Sequence, residues 1–149
     1  VVASPDPLKI VEAESIRAVV DAGIIPVCCG GGGVPVIRDS STGLYTGAQA
    51  VIDKDLCAAI LARETGAELL VIATDVDGVY ADWGTPQQRR IDHAKPSDLE
   101  RSQFADGSMG PKVRAACRFV RRTGQRAVIG SLEDIGDIVA GRAGTLIEP

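Results

Sequence analysis

Apolar and polar residues alternate along this chain in blocks whose spacing predicts helices and buried strands in turn. A helical period of about 3.6 residues runs through residues 8–21 and 53–65, and a glycine follows each stretch closely. Uninterrupted apolar runs at residues 24–29 and 69–74 have the length of strands that are buried on both faces. Pro26 weakens the first of these strands, because proline has no N–H group to donate to a strand ladder.

The same alternation continues to the end of the chain, apart from a polar, mixed segment at residues 89–104 that we expect at the surface. Helices and buried strands joined by short connections indicate an α/β layered fold, in which ligands bind beyond the carboxyl ends of the strands. The remaining predicted elements are a hairpin from residues 34–37 and 44–45, a short helix at 97–99, a helix from Pro111 to 124, a strand at 126–129, a helix at 132–139 and a strand at 145–147.

Length and composition favour one domain that covers residues 1–149. The 149 residues are 45% hydrophobic, which is enough for a substantial core. The chain has 20 acidic and 16 basic residues, a formal charge of −4 and no basic run, which is unfavourable for binding nucleic acid. No apolar run approaches the roughly 20 residues that span a bilayer, so we expect a cytoplasmic protein without membrane contact.

The cysteines are expected to be free thiols. Cys28, Cys29, Cys57 and Cys117 lie in apolar patterns, and they include no C-x-x-C spacing. This arrangement fits neither a disulfide framework nor a zinc site. Free cysteine usually packs as a small hydrophobic residue, and we therefore expect reduced, packed thiols in a reducing compartment.

A phosphate-binding loop is predicted where the segment DGSMGPK, residues 106–112, enters the Pro111 helix. Its two glycines permit a sharp turn and a close approach to a ligand, and proline suits the first helical position. The helix dipole favours an anion at this end, where Lys112 adds a full positive charge. The alternative is an ordinary glycine turn with a solvated Lys112.

A second phosphate loop is predicted directly after the 24–29 strand. Gly30, Gly31, Gly32 and Gly33 would let main-chain amides approach an anion without interference from Cβ atoms. The sequence matches neither the Walker A pattern nor the G-x-G-x-x-G dinucleotide pattern. A flexible turn without a ligand is the alternative.

The run Asp53-Lys54-Asp55 opens the second predicted helix. We expect Asp53 to cap the helix N-terminus in the ordinary way. Lys54 opposes the helix dipole, and it gains stability there only if an anion lies in front of it. Asp55 would hold Lys54 in place. Lys54 and Lys112 would then flank a phosphoryl group in transfer and balance the charge on its oxygens.

The run TDVDGVY follows the second predicted strand and forms a turn with two acids. An aspartate that caps its own turn is the alternative explanation. We favour a nucleoside pocket in which Tyr80 contacts a purine beside the apolar Val76 and Val79. One of the two aspartates, Asp75 or Asp77, would accept a hydrogen bond from a hydroxyl or an amine of the ligand.

Five segments share their order and spacing with one known family over nearly the whole chain. They are GGGGVPV (30–36), AVIDKDL (50–56), TDVDGVY (74–80), GSMGPK (107–112) and IGSLED (129–134). This set resembles the amino acid kinase family. The Asp-Lys-Asp and Ser-Met-Gly-Pro-Lys runs are more specific than the family-wide pattern, and they resemble the carbamate kinase subfamily.

The resemblance implies a three-layer αβα sandwich with a mainly parallel sheet, and reversible phosphoryl transfer between ATP and carbamate to give ADP and carbamoyl phosphate. It also implies that Lys54 and Lys112 contact the phosphates and that Asp55 organises both lysines. Mg²⁺ would be held mainly by the nucleotide phosphates, with no protein metal ligand, and the complete enzyme would be a homodimer. The implied adenine and ribose pocket consists of Thr74, Asp75, Val76, Asp77, Val79, Tyr80, Ser108, Met109 and Gly110.

The chain departs from the family pattern in one respect, because the N-terminal half of the family's chain has no counterpart in it. That half supplies an acceptor loop, a further lysine and a protruding lobe. Positioning and charge stabilisation provide most of phosphoryl-transfer catalysis, so we expect this piece to bind nucleotide weakly at best and to turn over negligibly. Two alternatives stay open: a family kinase that acts on acetylglutamate, glutamate, aspartate or a nucleoside monophosphate, and a non-catalytic nucleotide-binding or oligomerisation module.

Overall fold

A computed structural model describes residues 2–102, 104 and 108–149 of the chain. The internal contacts divide the chain into two compact units, residues 1–65 and 66–149. No helix among the described residues has both the length and the apolar character that a membrane span requires. The elements of the first unit are α1 (Ala13–Asp21), β1 (Val36–Arg38), β2 (Tyr45–Gly47) and α2 (Lys54–Thr65).

The core of the first unit lies between its two helices. α1 packs against α2, and Ile10, Ala13, Cys57 and Ile60 are buried together. Cys29, from the segment between α1 and β1, packs against the same cluster. Burial of a side chain as large as isoleucine contributes about 1.5–3 kcal/mol, so this cluster stabilises the unit.

The predicted start of the first helix at residue 8 is wrong, because α1 begins at Ala13. Leu8 is 89% exposed, and the apolar pattern reaches the core only from Ile10 onward. A helical turn is costly to form unless packing repays the lost entropy, and Leu8 has no such packing. The predicted end at Asp21 is confirmed, and Gly23 just beyond it adopts the left-handed conformation of a helix stop.

The apolar run at residues 24–29 is not a strand in this structure, so that prediction is wrong. Ile25 is 91% exposed and Val27 is 100% exposed. Pro26 has no N–H group to donate, and no described strand pairs with this run. An apolar sequence becomes a strand only where a neighbouring strand completes its backbone hydrogen bonds.

The predicted hairpin is confirmed as the antiparallel pair β1 and β2. Asp39 organises its turn, because Asp39 Oδ1 accepts hydrogen bonds from the N–H groups of Ser41 and Thr42 at 2.9 and 2.7 Å. The hydroxyl groups of both residues donate to the same oxygen. The Ser41 hydroxyl, followed by the Thr42 donors, holds the pKa of the Asp39 carboxyl well below its ordinary value, because these donors stabilise the charged form.

The second unit contains the longer strands and the larger sheet. Its elements are β3 (Leu69–Thr74), β4 (Val79–Ala81), β5 (Arg89–Ile91), β6 (His93–Ala94), α3 (Pro96–Leu99), α4 (Met109–Thr123), β7 (Arg126–Ser131), a 3₁₀ turn (Leu132–Asp134), α5 (Ile135–Val139) and β8 (Thr145–Ile147). Four strands form one sheet in the order β3-β7-β8-β6, and β4 and β5 form a separate hairpin.

The four-stranded sheet is mixed. β3 pairs parallel with β7 along its whole length, from Leu69 opposite Arg126 to Thr74 opposite Ser131. β6 pairs parallel with β8, whereas β8 runs antiparallel to β7. Parallel pairing therefore predominates among the described strands of this sheet, as the α/β prediction requires.

Helices cover β7, which lies inside the sheet. α4 and α5 both pack on this strand. Ala127 and Ile129 are fully buried and Val128, which points the other way, is 4% exposed, so both faces of β7 are covered. Close packing favours glycine at position 130, since a Cβ atom there would lie 2.8 Å from Ile138 Cδ1 and 3.0 Å from the Cα atom of Gly144.

Three further boundaries differ from the sequence prediction. α4 begins at Met109 rather than Pro111, and Pro111 is tolerated because N–H groups of the first helical turn have no acceptor within the helix. The predicted helix at 132–139 is a 3₁₀ turn followed by α5. The surface segment 89–104 contains β5 and β6, which carry no apolar run and so gave no strand signal.

Candidate functional site

The start of α2 carries the first group of candidate residues. Asp53 Oδ1 accepts hydrogen bonds from the N–H groups of Asp55 and Leu56, each at 2.9 Å, so Asp53 is the N-cap that the sequence predicts. Lys54 Nζ lies 3.5 Å from Asp55 Oδ2. The Asp55 side chain is 11% exposed and the Lys54 side chain is 59% exposed, so a largely buried carboxylate holds an accessible ammonium group.

This arrangement places an accessible ammonium group at the start of a helix. The dipole of α2 favours an anion at this end, and Lys54 adds a full positive charge there, whereas the N–H groups of Asp55 and Leu56 already donate to Asp53. Asp55 restricts the direction of the Lys54 side chain, because the carboxylate is fixed by burial. The accessible ammonium group of Lys54 is therefore the part of this helix start that is suited to contact a phosphate group.

The glycine loop packs closely against the start of α2. A Cβ atom on Gly32 would lie 2.2 Å from the carbonyl oxygen of Ile52, so this approach requires glycine. Gly30, Gly32 and Gly33 all have positive φ, a conformation that glycine adopts without strain. The structure thus brings two predicted phosphate-binding segments of the first unit together.

Two of the four loop amides are used within the loop itself. The N–H groups of Gly30 and Gly32 donate to preceding carbonyl oxygens at 2.8 Å. Within the part of the chain that the structure describes, the N–H groups of Gly31 and Gly33 have no acceptor. A Cβ atom at either of these positions would meet open space. The loop therefore offers two amides to an approaching anion.

The start of α4 carries the second group of candidate residues. Among the described residues, no side chain caps this helix, although Ser108 occupies the N-cap position, and no acid lies in the first turn. Gly110 is buried, whereas Met109 and Lys112 are half-buried. A helix start without a carboxylate keeps its preference for an anion. Asp106 and Gly107 of the predicted loop lie outside the described residues.

Hydrogen bonds to Asp77 organise the turn after β3. The Tyr80 hydroxyl donates to Asp77 Oδ1 at 2.9 Å, and Arg90 Nη1 donates to Asp77 Oδ2 at 3.2 Å. The hydrogen bond to Asp77 raises the pKa of Tyr80, because the carboxylate stabilises the protonated phenol. Thr74 Oγ1 donates to Asp75 Oδ1 at 3.0 Å. Asp77 therefore orients Tyr80, and Asp75 is the more exposed acid of the turn.

Tyr80 also contacts Trp83 in an edge-to-face arrangement, with ring centroids 5.2 Å apart. Trp83 is 64% exposed, so the two rings form an accessible aromatic surface. Arg90, which the sequence reasoning missed, lies opposite Tyr80 in the β4–β5 pair. Recognition of that hairpin from the turn residues between its strands would have placed Arg90 beside the candidate pocket.

Val79 anchors the same turn to the sheet. Val79 is fully buried, and its N–H group donates to Thr145 Oγ1 at 2.7 Å. Thr145 is also fully buried and donates to the carbonyl oxygen of Ile91. A Cβ atom on Gly78 would lie 2.8 Å from Thr145 Oγ1. Contact of Val79 with a nucleotide stays a prediction, and its burial supports a packing role.

The predicted edge at the carboxyl ends of two strands is present in the second unit. Thr74 at the end of β3 lies opposite Ser131 at the end of β7. The turn at residues 74–80 therefore begins beside the Gly130-Ser131 turn, as expected for parallel strands. Ser131 Oγ accepts a hydrogen bond from the N–H group of Glu133 at 3.1 Å, which caps the 3₁₀ turn.

The cysteines are free, as predicted. Cys57 and Cys117 are buried, and Cys28 and Cys29 are half-buried. Burial, assisted by the neighbouring Cys29, raises the pKa of Cys57 to about 12, and burial raises that of Cys117 to about 11. Since the thiolate is the nucleophilic form, Cys57 and Cys117 are inert at neutral pH.

Comparisons of the sequence with a family profile and with curated proteins agree with each other. A profile of the Amino acid kinase family matches residues 3–131. Carbamate kinases from Haemophilus influenzae and Escherichia coli K12 are 50% and 52% identical to the chain over 147 residues, which is 99% of this chain and 47% and 48% of those proteins. The chain thus spans about half the length of the curated relatives it matches.

Solved structures agree on the fold. Carbamate kinase from Giardia lamblia bound to AMP-PNP superposes with a TM-score of 0.93 and 38% identity over 97% of this chain and 52% of that one. Isopentenyl phosphate kinase superposes with a TM-score of 0.63 and 24% identity, which shows a shared fold. The predicted amino acid kinase fold is confirmed, and the chain belongs to the amino acid kinase family.

Proposed function

We propose that this chain is the nucleotide-binding half of a carbamate kinase, which transfers a phosphoryl group reversibly between ATP and carbamate to give ADP and carbamoyl phosphate. The observation that carries the proposal is the buried Asp55, which orients Lys54 at the anion-favouring start of α2. The Giardia lamblia carbamate kinase with AMP-PNP supports nucleotide binding by this type of protein.

Lys54 and Lys112 act on the phosphates in this proposal. Both lysines lie in the first turn of a helix, where a cation opposes the dipole and gains only from an anion in front of it. Two ammonium groups on a transferring phosphoryl group would stabilise the charge on its oxygens in the transition state. Asp55 would act as a positioning residue, because it contacts Lys54.

The nucleoside would bind at the turn after β3 together with the start of α4. Tyr80 and Trp83 offer an accessible aromatic surface, and the exposed Asp75 can accept a hydrogen bond. Asp77 would keep Tyr80 oriented while it remains paired with Arg90. The other proposed contacts are made by Thr74, Val76, Ser108, Met109 and Gly110.

The glycine loop and Mg²⁺ complete the proposed phosphate site. Gly31 and Gly33 would donate their N–H groups to phosphate oxygens. No group of three His, Cys, Asp or Glu side chains that could hold a metal ion occurs among the described residues. In this proposal, which here follows the resemblance to carbamate kinases, phosphate oxygens would supply most of the Mg²⁺ ligands, and the bound ion would neutralise phosphate charge.

Kinases of the same family that act on other substrates are less similar to this chain than the carbamate kinases are. UMP kinase from Bacillus anthracis superposes with a TM-score of 0.64 but is 19% identical, so it supports the fold alone. The carbamate kinases share about half of their residues with this chain. Retention of Lys54, Asp55 and Lys112 likewise argues against a module that has lost its chemistry.

The isolated chain is proposed to lack turnover. Its relatives are about twice as long, and the part that it does not match would supply the acceptor loop. An assay that couples ATP formation from carbamoyl phosphate and ADP to a detectable product is expected to show no activity above background with the chain alone. Ordinary kinase rates would contradict this part of the proposal.

The compartment, the oligomeric state and the metabolic role of the complete enzyme are proposed from the resemblance alone. We propose a cytoplasmic homodimer that takes part in arginine breakdown, where carbamoyl phosphate is converted to ATP. The free thiols are compatible with a reducing compartment. Size-exclusion chromatography of a full-length protein that contains this segment would test the dimer directly.

Calorimetric titration with AMP-PNP and Mg²⁺ tests the proposed function. Lys54→Ala and Lys112→Ala are each expected to weaken binding about tenfold or more, because a charged hydrogen bond contributes about 1.5–3 kcal/mol. Lys9→Ala and Lys95→Ala provide matched controls with the same loss of charge away from the proposed site. The titration is carried out with a full-length protein that contains this segment, because the chain alone is expected to bind nucleotide weakly at best. Absence of AMP-PNP binding by that protein, or equal weakening in all four variants, would contradict the proposal.

A further inference from the structure

α3 and α4 line a cavity of about 740 Å³ in the second unit. Small-molecule sites usually have volumes of roughly 300–1,000 Å³. Among the candidate site residues, only Gly110 contributes to its wall. This cavity is therefore separate from the turn at residues 74–80, where the nucleoside is proposed to bind.

The described part of the cavity wall is rich in arginine. Four of the chain's 16 basic residues line it, although the whole chain carries a charge of −4. Glu100 is the only acid among the described lining residues. The arginines, which recur every three or four residues on one side of α4, are Arg114, Arg118, Arg121 and Arg122.

The helix dipole stabilises only part of this row of arginines. Like charges four residues apart destabilise a helix by about 0.2–0.5 kcal/mol for each pair. Arg121 and Arg122 lie in the last turn, where the helix dipole favours cations. Arg114 and Arg118 lie nearer the start, so the dipole gives them no such compensation.

One ion pair at the cavity wall, between Arg121 and Glu100, is exposed to solvent. These side chains are 51% and 48% exposed. Ion pairs this exposed contribute about 0–1 kcal/mol, so a bound anion can replace Glu100 as the partner of Arg121 at little cost. Beneath the arginines, the buried Leu99, Val113 and Cys117 give the cavity an apolar floor.

We propose that this cavity is a second anion site, which binds a small molecule with two or more negative charges and an apolar portion. Guanidinium groups form paired hydrogen bonds with carboxylate and phosphate groups alike, so either group fits the arginines. The apolar floor would accept the hydrocarbon part of the ligand. The site would fill independently of the proposed nucleotide site, because the two share no charged residue.

Titration of the full chain with pyrophosphate, and separately with citrate, at constant ionic strength tests this proposal by calorimetry. Arg118→Gln/Arg122→Gln is expected to weaken binding of the better probe about tenfold or more. Arg17→Gln/Arg63→Gln removes the same charge from the helices of the first unit, where both arginines pair with acids, and is expected to bind normally. Lys112→Ala is also expected to retain binding.

Several results would overturn the proposal. The first is the absence of saturable binding. The second is equal weakening by the two double variants, which would indicate an adventitious ion only. The third is loss of binding in Lys112→Ala, which would place the probe at the proposed nucleotide site. If Arg118→Gln/Arg122→Gln does not fold, the amide chemical shifts of the unmodified chain test whether the probe binds in the cavity. Addition of pyrophosphate or citrate must then move the amide signals of Leu99, Ser102 and Cys117, and unchanged signals would overturn the proposal. Tighter binding of one probe identifies phosphate or carboxylate as the preferred group.

Discussion

Two apolar runs of the same length adopt different structures in this chain. Residues 24–29 and 69–74 each follow a glycine that ends a helix, and both predict a buried strand. Ile72 in the second run is 4% exposed, whereas Ile25 in the first is 91% exposed. The second run pairs along its whole length with β7, and the first has no partner among the described strands. Hydrophobicity therefore specifies a strand only together with its partner.

The largest expected effect contrasts one isoleucine from each run. Ile72→Ala is expected to lower the free energy of unfolding by about 2–5 kcal/mol, because it leaves a cavity in the packed sheet. Ile25→Ala is the matched control and is expected to change it by less than about 0.5 kcal/mol. Urea unfolding followed by circular dichroism measures both changes. Similar losses in the two variants would show that residues 24–29 are buried in solution.

A second contrast concerns a buried hydroxyl of the sheet. Thr145→Val removes the acceptor of the Val79 N–H group and the donor to the Ile91 carbonyl. Leaving such buried groups unsatisfied costs about 1–3 kcal/mol each, so the free energy of unfolding should fall by at least that amount. Thr46→Val in the exposed β2 is the control, and urea unfolding is again the measurement. A neutral Thr145→Val would contradict the assigned hydrogen bonds.

A smaller effect is expected at the start of α2. Asp53→Ala removes both capping hydrogen bonds and should destabilise the chain by about 0.5–2 kcal/mol. Asp53→Asn keeps an acceptor oxygen at the same position and should restore most of the loss. Thermal unfolding by calorimetry distinguishes the two variants. If Asn fails to restore stability, the effect of Asp53 is due to charge rather than capping.

The smallest effect is a pH dependence of the exposed β1–β2 turn. The folded-state pKa of Asp39 lies below its ordinary value of 3.8, so its stabilising contribution is complete above pH 4 and disappears as the pH falls through the lowered value. A carbon-13 NMR titration of the carboxyl group is expected to show the lowered pKa. Ser41→Ala should move it back toward 3.8, and an ordinary pKa in the unmodified chain would contradict the observed turn.

The sequence predicted most elements whose residues are paired and packed within one unit. β3, α2 and α4 appear near the expected positions, and Asp53 and Asp55 take the expected local roles. Arg90 and Thr145 were missed, since their contacts with Asp77 and Val79 depend on hairpin and sheet pairings that local patterns do not encode.

The central claim is that Lys54 and Lys112 both contact the phosphates of one bound nucleotide. A crystal structure of the chain with AMP-PNP and Mg²⁺ tests it most directly. The account predicts that both Nζ atoms lie about 2.7–3.2 Å from phosphate oxygens, with the base beside Tyr80. A nucleotide bound elsewhere, or one that only a single lysine contacts, would contradict it.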